Sequence, residues 1–179
     1  MRALCVVAVL TVAAGSAYAQ TRQGHPAPHA PAPAHPAVSG PRSIGKFEDW
    51  TAASHQEAGQ TVCYAFTRPV ASTPALPGRG DVVLTVTERP GGRDAVALTA
   101  GFAYAPNAEV QMTAEGVSFP FYTSSRSAFA RDGRAVAAAL GRSRQAVAHS
   151  PGPRNATISD TFSLRGFAAA YAAINRTCR

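Results

Sequence analysis

Two histidines, His55 and His149, are the imidazole groups that the main part of this chain offers for acid–base or nucleophilic chemistry. A serine hydrolase would need one of them beside a nucleophilic serine, with a carboxylate that orients the imidazole. Residues 141–145 (GRSRQ) come closest to a nucleophile motif, but they lack the second glycine of G-x-S-x-G. A Ser–His–Asp site built from residues far apart in the sequence stays open, although no motif predicts it.

We expect both histidines to be structural. His149 precedes a Ser-Pro pair and is predicted to close a strand, whereas His55 is predicted to lie in a polar loop. Glu48 and Asp49 are the candidate carboxylate pair for glycoside chemistry, but they would point to opposite faces if they lay in a strand. No zinc-protease, phosphate-loop or dinucleotide motif occurs. The sequence assigns no catalytic, cofactor-binding or metal-binding residue and favours a protein that is not an enzyme, with a periplasmic hydrolase as the alternative.

The cysteines indicate an oxidising compartment. Cys5 lies in the N-terminal apolar segment, so Cys63 and Cys178 are the two that remain in the rest of the chain. As a pair they have one connectivity, which closes a loop of 115 residues and, in the chain-entropy model, stabilises the fold by about 4–5 kcal/mol. Because no C-x-x-C motif is present, we predict a structural disulfide; two free, redox-active thiols are the alternative.

Residues 1–19 have the pattern of a cleavable secretory signal. Arg2 supplies a positive start, residues 3–14 form an apolar run, and the tripeptide AYA places small residues at the −3 and −1 positions of a peptidase site. The run is too short to span a bilayer, and no later segment reaches that length. We predict cleavage between Ala19 and Gln20 and a mature protein in the periplasm, with outer-membrane association or secretion left open.

The charge distribution argues against nucleic-acid binding. The chain has 17 basic and 10 acidic residues, for a net charge of +7, and Lys46 is its one lysine. The arginines are scattered and lack the interleaved aromatic groups that stack on bases. An Arg- and Ala-rich composition is also typical of a GC-rich genome. The partner predicted from charge is therefore a protein or an anionic envelope surface.

Residues 20–43 are predicted to form a linker rich in Pro, Ala and His. Proline favours an extended, polyproline-like chain without a core. The segment contains His25, His29 and His35, but the prolines between them prevent the helical spacing that would bring the imidazoles together. A weak surface metal site is the alternative. Residues 44–179 are predicted to form a single β-rich domain in which Trp50 anchors the core.

The domain pattern predicts antiparallel strands. Two hairpins are expected, one around the PGG turn at 90–92 and one around residues 114–116. Pro120 predicts an edge strand or a bulge, and the Pro- and Gly-rich residues 68–80 predict a loop. At the end of this loop Arg79, Gly80 and Asp81 spell an integrin-type tripeptide, of which Asp81 is predicted to open a strand. Adhesion through that tripeptide is an alternative that we do not favour, because three-residue matches arise by chance. The predicted strands are 61–67, 81–88, 94–100, 109–113, 117–123, 145–149 and 156–162.

Two short helices complete the prediction. Asp132 is expected to cap a helix over residues 133–140 that ends at Gly141, and Ser163 is expected to cap the last helix. The fold class is therefore mainly β (α+β): an antiparallel, sandwich-like sheet with two short helices, one of them C-terminal. The last helix has an apolar face with i, i+3, i+4, i+7 spacing that should pack on the sheet, formed by Phe167, Ala170, Tyr171 and Ile174.

Four segments in this order suggest a family: GKFEDW at 45–50, VCYA at 62–65, DGRAVAAALG at 132–141 and FSLRGFAA at 162–169. They resemble the invasion-associated locus B family of alphaproteobacterial exported proteins over residues 45–179. The resemblance implies a periplasmic or surface protein that is linked in pathogens to host-cell invasion, without accepted catalytic residues. Many members carry a further cysteine after the tryptophan; residues 51–60 lack it here, which leaves Cys63 for Cys178.

We therefore expect an exported, non-enzymatic binding module. This hypothesis predicts an exposed apolar or arginine-rimmed patch on the sheet. An envelope-maintenance or chaperone-like role is the first alternative. The second alternative, a periplasmic enzyme, predicts a concave pocket where His149 or a carboxylate meets a nucleophile with a shifted pKa.

Overall fold

A computed structural model describes residues 40–179, in which eleven strands form one antiparallel sheet beside two helices. The prediction of a mainly β fold with two helices, one of them C-terminal, is confirmed. The helices are α1 (Gly133–Arg142) and α2 (Phe167–Thr177). The strands are β1 (Arg42–Phe47), β2 (Trp50–Glu57), β3 (Gln60–Thr67), β4 (Ala71–Thr73), β5 (Val83–Arg89), β6 (Gly92–Thr99), β7 (Glu109–Ala114), β8 (Val117–Ser124), β9 (Ser127–Ala130), β10 (Gln145–Pro151) and β11 (Thr157–Ser163).

The sheet curls so that its two ends approach each other. Its strand order is β1-β2-β3-β5-β6-β9-β8-β7-β10-β11-β4. The chain leaves β3 near one end of this order and enters β4 at the other end, where the Val70 backbone N–H donates to the Thr161 carbonyl at 2.8 Å. At the start of β2, the Trp50 indole N–H donates to the Ser163 carbonyl of β11 at 3.0 Å. The second of these bonds brings β2 close to β11, although the two strands do not pair with each other.

One core fills the inner face of the curled sheet. Leu84 and Val86 alternate inward along β5 and are fully buried, as period-two patterning requires. The fully buried Trp50 ring meets the Phe167 ring of α2 edge to face, with centroids 4.8 Å apart. Phe167 and Ile174 of the predicted helix face are also fully buried. Burial of each large apolar side chain stabilises the fold by about 1.5–3 kcal/mol, so α2 is held on the sheet mainly by this face.

Helix α1 begins as predicted but ends later. The Asp132 carboxylate caps it by accepting from the Ala135 backbone N–H at 2.9 Å. The prediction that Gly141 stops the helix is wrong, because α1 continues through Gly141 to Arg142. The Ser143 backbone N–H and hydroxyl then both donate to the Ala139 carbonyl, at 3.1 and 2.9 Å, and satisfy this acceptor in the last turn of the helix.

The prediction that Ser163 caps the last helix is also wrong. Ser163 still lies in β11, and α2 begins at Phe167 after Gly166, which has a left-handed backbone with φ of 84°. A Cβ at Gly166 would lie 2.0 Å from the Phe47 carbonyl oxygen. The turn between β11 and α2 therefore passes too close to β1 for any residue with a side chain.

Several strands were missed or misplaced by the sequence patterns. His55 was predicted in a polar loop but lies in β2. The sequence of β2 is rich in small and polar residues, so its inward-facing positions do not show a period-two hydrophobic pattern. The predicted loop 68–80 contains the short edge strand β4. Pro120 lies in the interior strand β8 rather than at an edge, just beyond the last β8–β9 pair, Phe121 with Ala130. The Pro120 carbonyl accepts from the backbone N–H of Arg131, the residue after β9, at 3.2 Å. The backbone N–H that proline lacks would therefore lie beyond the end of the β8–β9 pairing, where no strand bond requires it.

A disulfide joins Cys63 of β3 to Cys178, the residue after α2, with the two Cα atoms 5.8 Å apart. The bond ties the C-terminal end of the chain to the sheet. Within residues 40–179, no helix is both long and apolar enough to cross a bilayer. The predicted cleavage site at Ala19 and Gln20 and the linker histidines lie outside the described residues.

Candidate functional site

Four aromatic residues on the outer face of the sheet form a patch that we call the outer aromatic patch: Tyr64, Phe66, Tyr122 and Phe129. Tyr64 and Phe66 are successive outward residues of β3, and their rings stack with centroids 5.9 Å apart. Tyr122 of β8 and Phe129 of β9 are cross-strand partners whose rings stack at 5.5 Å. The patch is thus built from two aromatic pairs on separate parts of the sheet.

Strand register joins the two aromatic pairs into one surface. Phe66 lies opposite Thr85, Thr85 opposite Ala97, and Ala97 opposite Phe129. Three strand spacings separate Phe66 from Phe129, a distance of about 14 Å. Because Thr85 and Ala97 are small, the surface between the aromatic pairs is a shallow, uncharged floor.

The rim of the outer aromatic patch carries arginines in ion pairs. Arg131 lies over the Tyr122 ring at 5.8 Å from its centroid and pairs with Glu109 at 2.9 Å. Beyond Phe66, Arg68 and Asp81 form another exposed pair at 2.6 Å. Hydrogen bonding and the charge of Arg68 lower the pKa of Asp81 and keep it ionised. The rim is therefore polar but nearly neutral.

A depression of about 360 Å³ adjoins the patch beside Phe66, and its wall includes Val70, whose side chain is among the most exposed apolar ones. Tyr122 is 46% exposed, and the other patch residues are half-buried. Tyrosine and phenylalanine supply large contact area with little side-chain entropy to lose, so they are enriched in protein interfaces. This surface has the arginine rim and the apolar centre that a binding module is expected to present.

The Arg-Gly-Asp tripeptide cannot present its arginine. The Arg79 side chain is 8% exposed and forms a bidentate pair with fully buried Asp160, with N–O distances of 2.8 and 2.7 Å. Gly80 packs on Gly101 so closely that a Cβ at Gly101 would lie 2.4 Å from the Gly80 carbonyl oxygen. Asp81 precedes β5 instead of opening it. The adhesion alternative is therefore wrong, and Arg79 is a core residue.

His149 is the histidine closest to a catalytic arrangement. It lies within β10, and its Nδ1 is 2.9 Å from the hydroxyl of Ser159, its cross-strand partner on β11. On the other side His149 lies opposite Gln111 of β7, which is not a carboxylate. His149 is exposed and does not line the depressions beside Phe66, Phe102, Tyr104, Tyr122 or Ser54. The pair lacks the orienting acid and the concave pocket that a hydrolase requires.

The other predicted candidates have structural contacts. Glu48 and Asp49 form the turn between β1 and β2 instead of lying in a strand. Glu48 pairs with Arg165 at 2.8 Å, and Asp49 accepts from the Ser163 hydroxyl at 2.6 Å. His55 packs edge to face on Tyr64 at 5.5 Å, beside the outer aromatic patch. In the described part of the chain no group of three or more His, Cys, Asp or Glu could hold a metal ion.

No sequence pattern predicted the buried polar cluster that lies under α2. Glu88 is fully buried on the inner face of β5, and burial, together with the nearby charge of Asp94, raises its pKa to about 7. Arg93 pairs with Glu88 at 3.2 Å and donates to the Cys178 carbonyl at 3.0 Å. Tyr171 of α2 donates to Asp94, and burial and that contact raise the Tyr171 pKa to about 12. The cluster fastens α2 beside the disulfide.

Comparisons with known proteins agree with this fold. The chain matches the family model described as "Invasion associated locus B (IalB) protein" over residues 50–175. Among solved structures, the crystal structure of invasion associated protein B from Bartonella henselae superposes with a TM-score of 0.54. The two chains are 16% identical, and the match covers 74% of this chain and 95% of that one. At this identity the similarity concerns the fold alone. The curated proteins contain no match.

Proposed function

Because this chain belongs to the invasion associated locus B family, we propose that it is an exported, non-enzymatic protein that binds a protein partner at the cell envelope. The observation that carries the proposal is the outer aromatic patch, two stacked aromatic pairs on a rigid, uncharged sheet face. Residues 1–19 would be the secretory signal, residues 20–43 a linker whose last two residues, Arg42 and Ser43, already lie in β1, and residues 44–179 the rest of the binding domain. The disulfide between Cys63 and Cys178 supports an oxidising compartment.

A protein partner suits the patch better than an anionic surface does. The patch itself is uncharged, and the arginines at its rim are neutralised by Glu109 and Asp81. Exposed ion pairs of this kind contribute little energy and mainly keep the rim hydrated. Binding energy would come from burial of the four rings, which are the residue types that dominate interface hot spots.

Export is tested by intact mass spectrometry of material from the periplasm. We expect a chain that begins at Gln20 and is lighter than the reduced chain by the mass of two hydrogens. Retention of residues 1–19, or two thiols that alkylate without reductant, would contradict export of a disulfide-bonded module.

Partner binding is tested by photo-crosslinking in living cells. A photoreactive phenylalanine analogue at Tyr122 should yield one dominant protein adduct, because this ring is the most exposed of the patch. The same analogue at Gln145, an exposed position at the start of β10, is the control and should yield none. The adduct should disappear when Phe129 is changed to Ser. Equal adducts at both positions, or only polysaccharide adducts, would refute the proposal.

The biological setting is tested by deleting the gene. A defect seen only during contact with host cells would support an invasion-associated role, and complementation with the Phe129→Ser variant should then fail. A defect in axenic culture would favour the envelope-maintenance alternative. In either setting, rescue by a His149→Ala variant would support a non-enzymatic protein, because it removes the one serine–histidine pair at hydrogen-bond distance within residues 40–179.

A further inference from the structure

A second surface, at one end of the sheet, has the form of a binding cleft. It opens between three loops and consists of two lobes. The first lobe lies against Phe102 and has a volume of about 280 Å³; the second lies against Tyr104 and has a volume of about 440 Å³. Pro153 and Arg154 line both lobes and therefore lie where they meet. We call this surface the loop cleft.

The floor of the loop cleft is preformed. The Arg79 guanidinium, held by its buried pair with Asp160, lies 5.2 Å from the centroid of the Phe102 ring. The Phe102 and Tyr104 rings meet edge to face at 5.3 Å, and the Tyr104 hydroxyl is 3.1 Å from the hydroxyl of fully buried Ser150. A site built on such fixed contacts loses little conformational entropy when a ligand enters.

The loop cleft carries one positive charge without a partner, that of Arg154, because Arg79 is paired with Asp160. Among the residues that the structure describes, no Asp or Glu lines either lobe. All 10 acidic residues lie in that part of the chain, and each is engaged by another residue in an ion pair or hydrogen bond. Arg154 is exposed and has no ion pair within residues 40–179. Its guanidinium is thus available to an external carboxylate.

The backbone at Arg154 is held in an unusual conformation. Arg154 and the following Asn155 both have left-handed backbones, with φ of 57° and 59°. This region costs about 1–2 kcal/mol for a residue with a side chain. The turn is closed by two backbone bonds: the Gly152 N–H donates to the Ala156 carbonyl at 2.7 Å, and the Ala156 N–H donates to the Pro153 carbonyl at 3.3 Å. Backbone strain of this kind is concentrated at ligand-binding loops.

We propose that the loop cleft binds an extended peptide segment in which an acidic residue adjoins an apolar one. The apolar side chain would enter the Phe102 lobe, where Leu76, Pro77 and Pro153 join Phe102 in the lining. The neighbouring carboxylate would pair with the Arg154 guanidinium between the lobes. The peptide backbone would continue into the Tyr104 lobe, where Asn155 and Thr157 offer hydrogen-bonding side chains. This surface is separate from the outer aromatic patch and does not depend on its role.

The test compares two labelled peptides on the purified protein by fluorescence anisotropy. The probes are fluorescein-Gly-Leu-Glu-Gly amide and the same peptide with Gln in place of Glu. Because Arg154 is exposed and an exposed ion pair contributes less than a buried one, we expect the Glu peptide to bind about 3- to 5-fold more tightly. Equal affinities, or no saturable binding of the Glu peptide at millimolar protein, would overturn the proposal.

Variants of Arg154 make the test specific. Arg154→Gln should abolish the preference for the Glu peptide, and Arg154→Glu should transfer the preference to a Leu-Lys peptide. Arg144→Gln, an exposed arginine outside the cleft, is the matched control and should leave the preference unchanged. Melting temperatures check that each variant folds. If the preference persists in Arg154→Gln, or is lost equally in the control, the loop cleft is not the site.

Discussion

Two buried carboxylates, Asp160 and Glu88, lie on the inner face of the same sheet but are compensated differently. Both side chains are fully buried. Asp160 receives two guanidinium N–H bonds from Arg79, at 2.8 and 2.7 Å, and a hydroxyl bond from Ser72 at 2.6 Å. Glu88 has Arg93 at 3.2 Å and the Asp94 backbone N–H at 3.4 Å.

The two carboxylates differ in how deeply the side chains of their arginine partners are buried. The Arg79 side chain is 8% exposed and also donates to the Ala100 carbonyl, so its charge is carried into the interior with that of Asp160. The Arg93 side chain is 43% exposed, and its guanidinium divides its bonds among Glu88, Asn175 and the Cys178 carbonyl. A buried charge needs a partner that is buried with it. The Asp160 region therefore holds a full ion pair, whereas the Glu88 region is sensitive to pH.

The largest expected effect comes from the disulfide beside Glu88. Replacing both Cys63 and Cys178 with Ala should lower the free energy of unfolding by about 4–5 kcal/mol, because the unfolded chain gains the entropy of a long loop. Denaturant unfolding of the oxidised protein, the reduced protein and the variant measures it. Hydrogen exchange should accelerate first in α2 and β3, next to Glu88, rather than at Asp160. Uniform acceleration would mean that the two regions unfold as one unit.

Removing the partner of Asp160 should have an effect nearly as large. Arg79→Met leaves a buried carboxylate without compensation and should destabilise the protein by about 3–5 kcal/mol. The double variant Arg79→Met/Asp160→Leu should recover much of this loss. The control is Arg68→Met, which breaks the exposed pair with Asp81 and should cost less than about 1 kcal/mol. Similar losses in the two single variants would show that burial of the Arg79 pair has no energetic consequence.

Glu88 should make stability depend on pH. Its pKa is raised from 4.5 to about 7, so its contribution is fully present below pH 4.5 and is lost as pH rises to about 7. Glu88→Gln should match wild type near pH 4 and exceed its stability at pH 8 by on the order of 3 kcal/mol. Thermal melts across this range measure the difference. Glu57→Gln, an exposed carboxylate on β2, which is separated from β5 by β3, is the control. A constant difference at all pH values would refute the assignment.

The smallest effect is expected at an exposed carboxylate that belongs to neither region. Asp132→Ala removes the N-cap of α1 and should destabilise the protein by about 1 kcal/mol, whereas Asp132→Asn should restore most of the loss. Urea unfolding at pH 7 measures both variants. A loss comparable to that of Arg79→Met would mean that burial does not explain the contrast between the carboxylates.

Sequence patterns located local features correctly but placed the ends of the helices less accurately. The turns at 90–92 and 114–116, the cap at Asp132 and the apolar face of α2 all depend on residues close together in the chain, and each is present. Gly141 was misjudged because a glycine stops a helix only where its backbone turns left-handed, which it does not do here. Ser163 was misjudged because its carbonyl holds Trp50 and its strand pairs with β10.

The candidate sites were beyond such patterns. Tyr64 and Phe66 alternate along one strand, which a period-two pattern can detect, but nothing local places them in register with Phe129. The Arg79 side chain pairs with Asp160, which lies 81 residues away in the sequence. The integrin-type interpretation failed for that reason: a tripeptide records which residues are adjacent, not which of them the fold buries.

The order of residues along the chain was enough to predict the family, the β-rich class, the hairpins and the pairing of Cys63 with Cys178. These depend on motifs, on hydrophobic periodicity and on there being two cysteines after the apolar segment. Strand order, the patch that faces outward and the difference between Asp160 and Glu88 came from the folded structure alone. They depend on contacts between distant segments, whose energies arise from burial and pairing after the sheet has curled, and sequence spacing does not encode them.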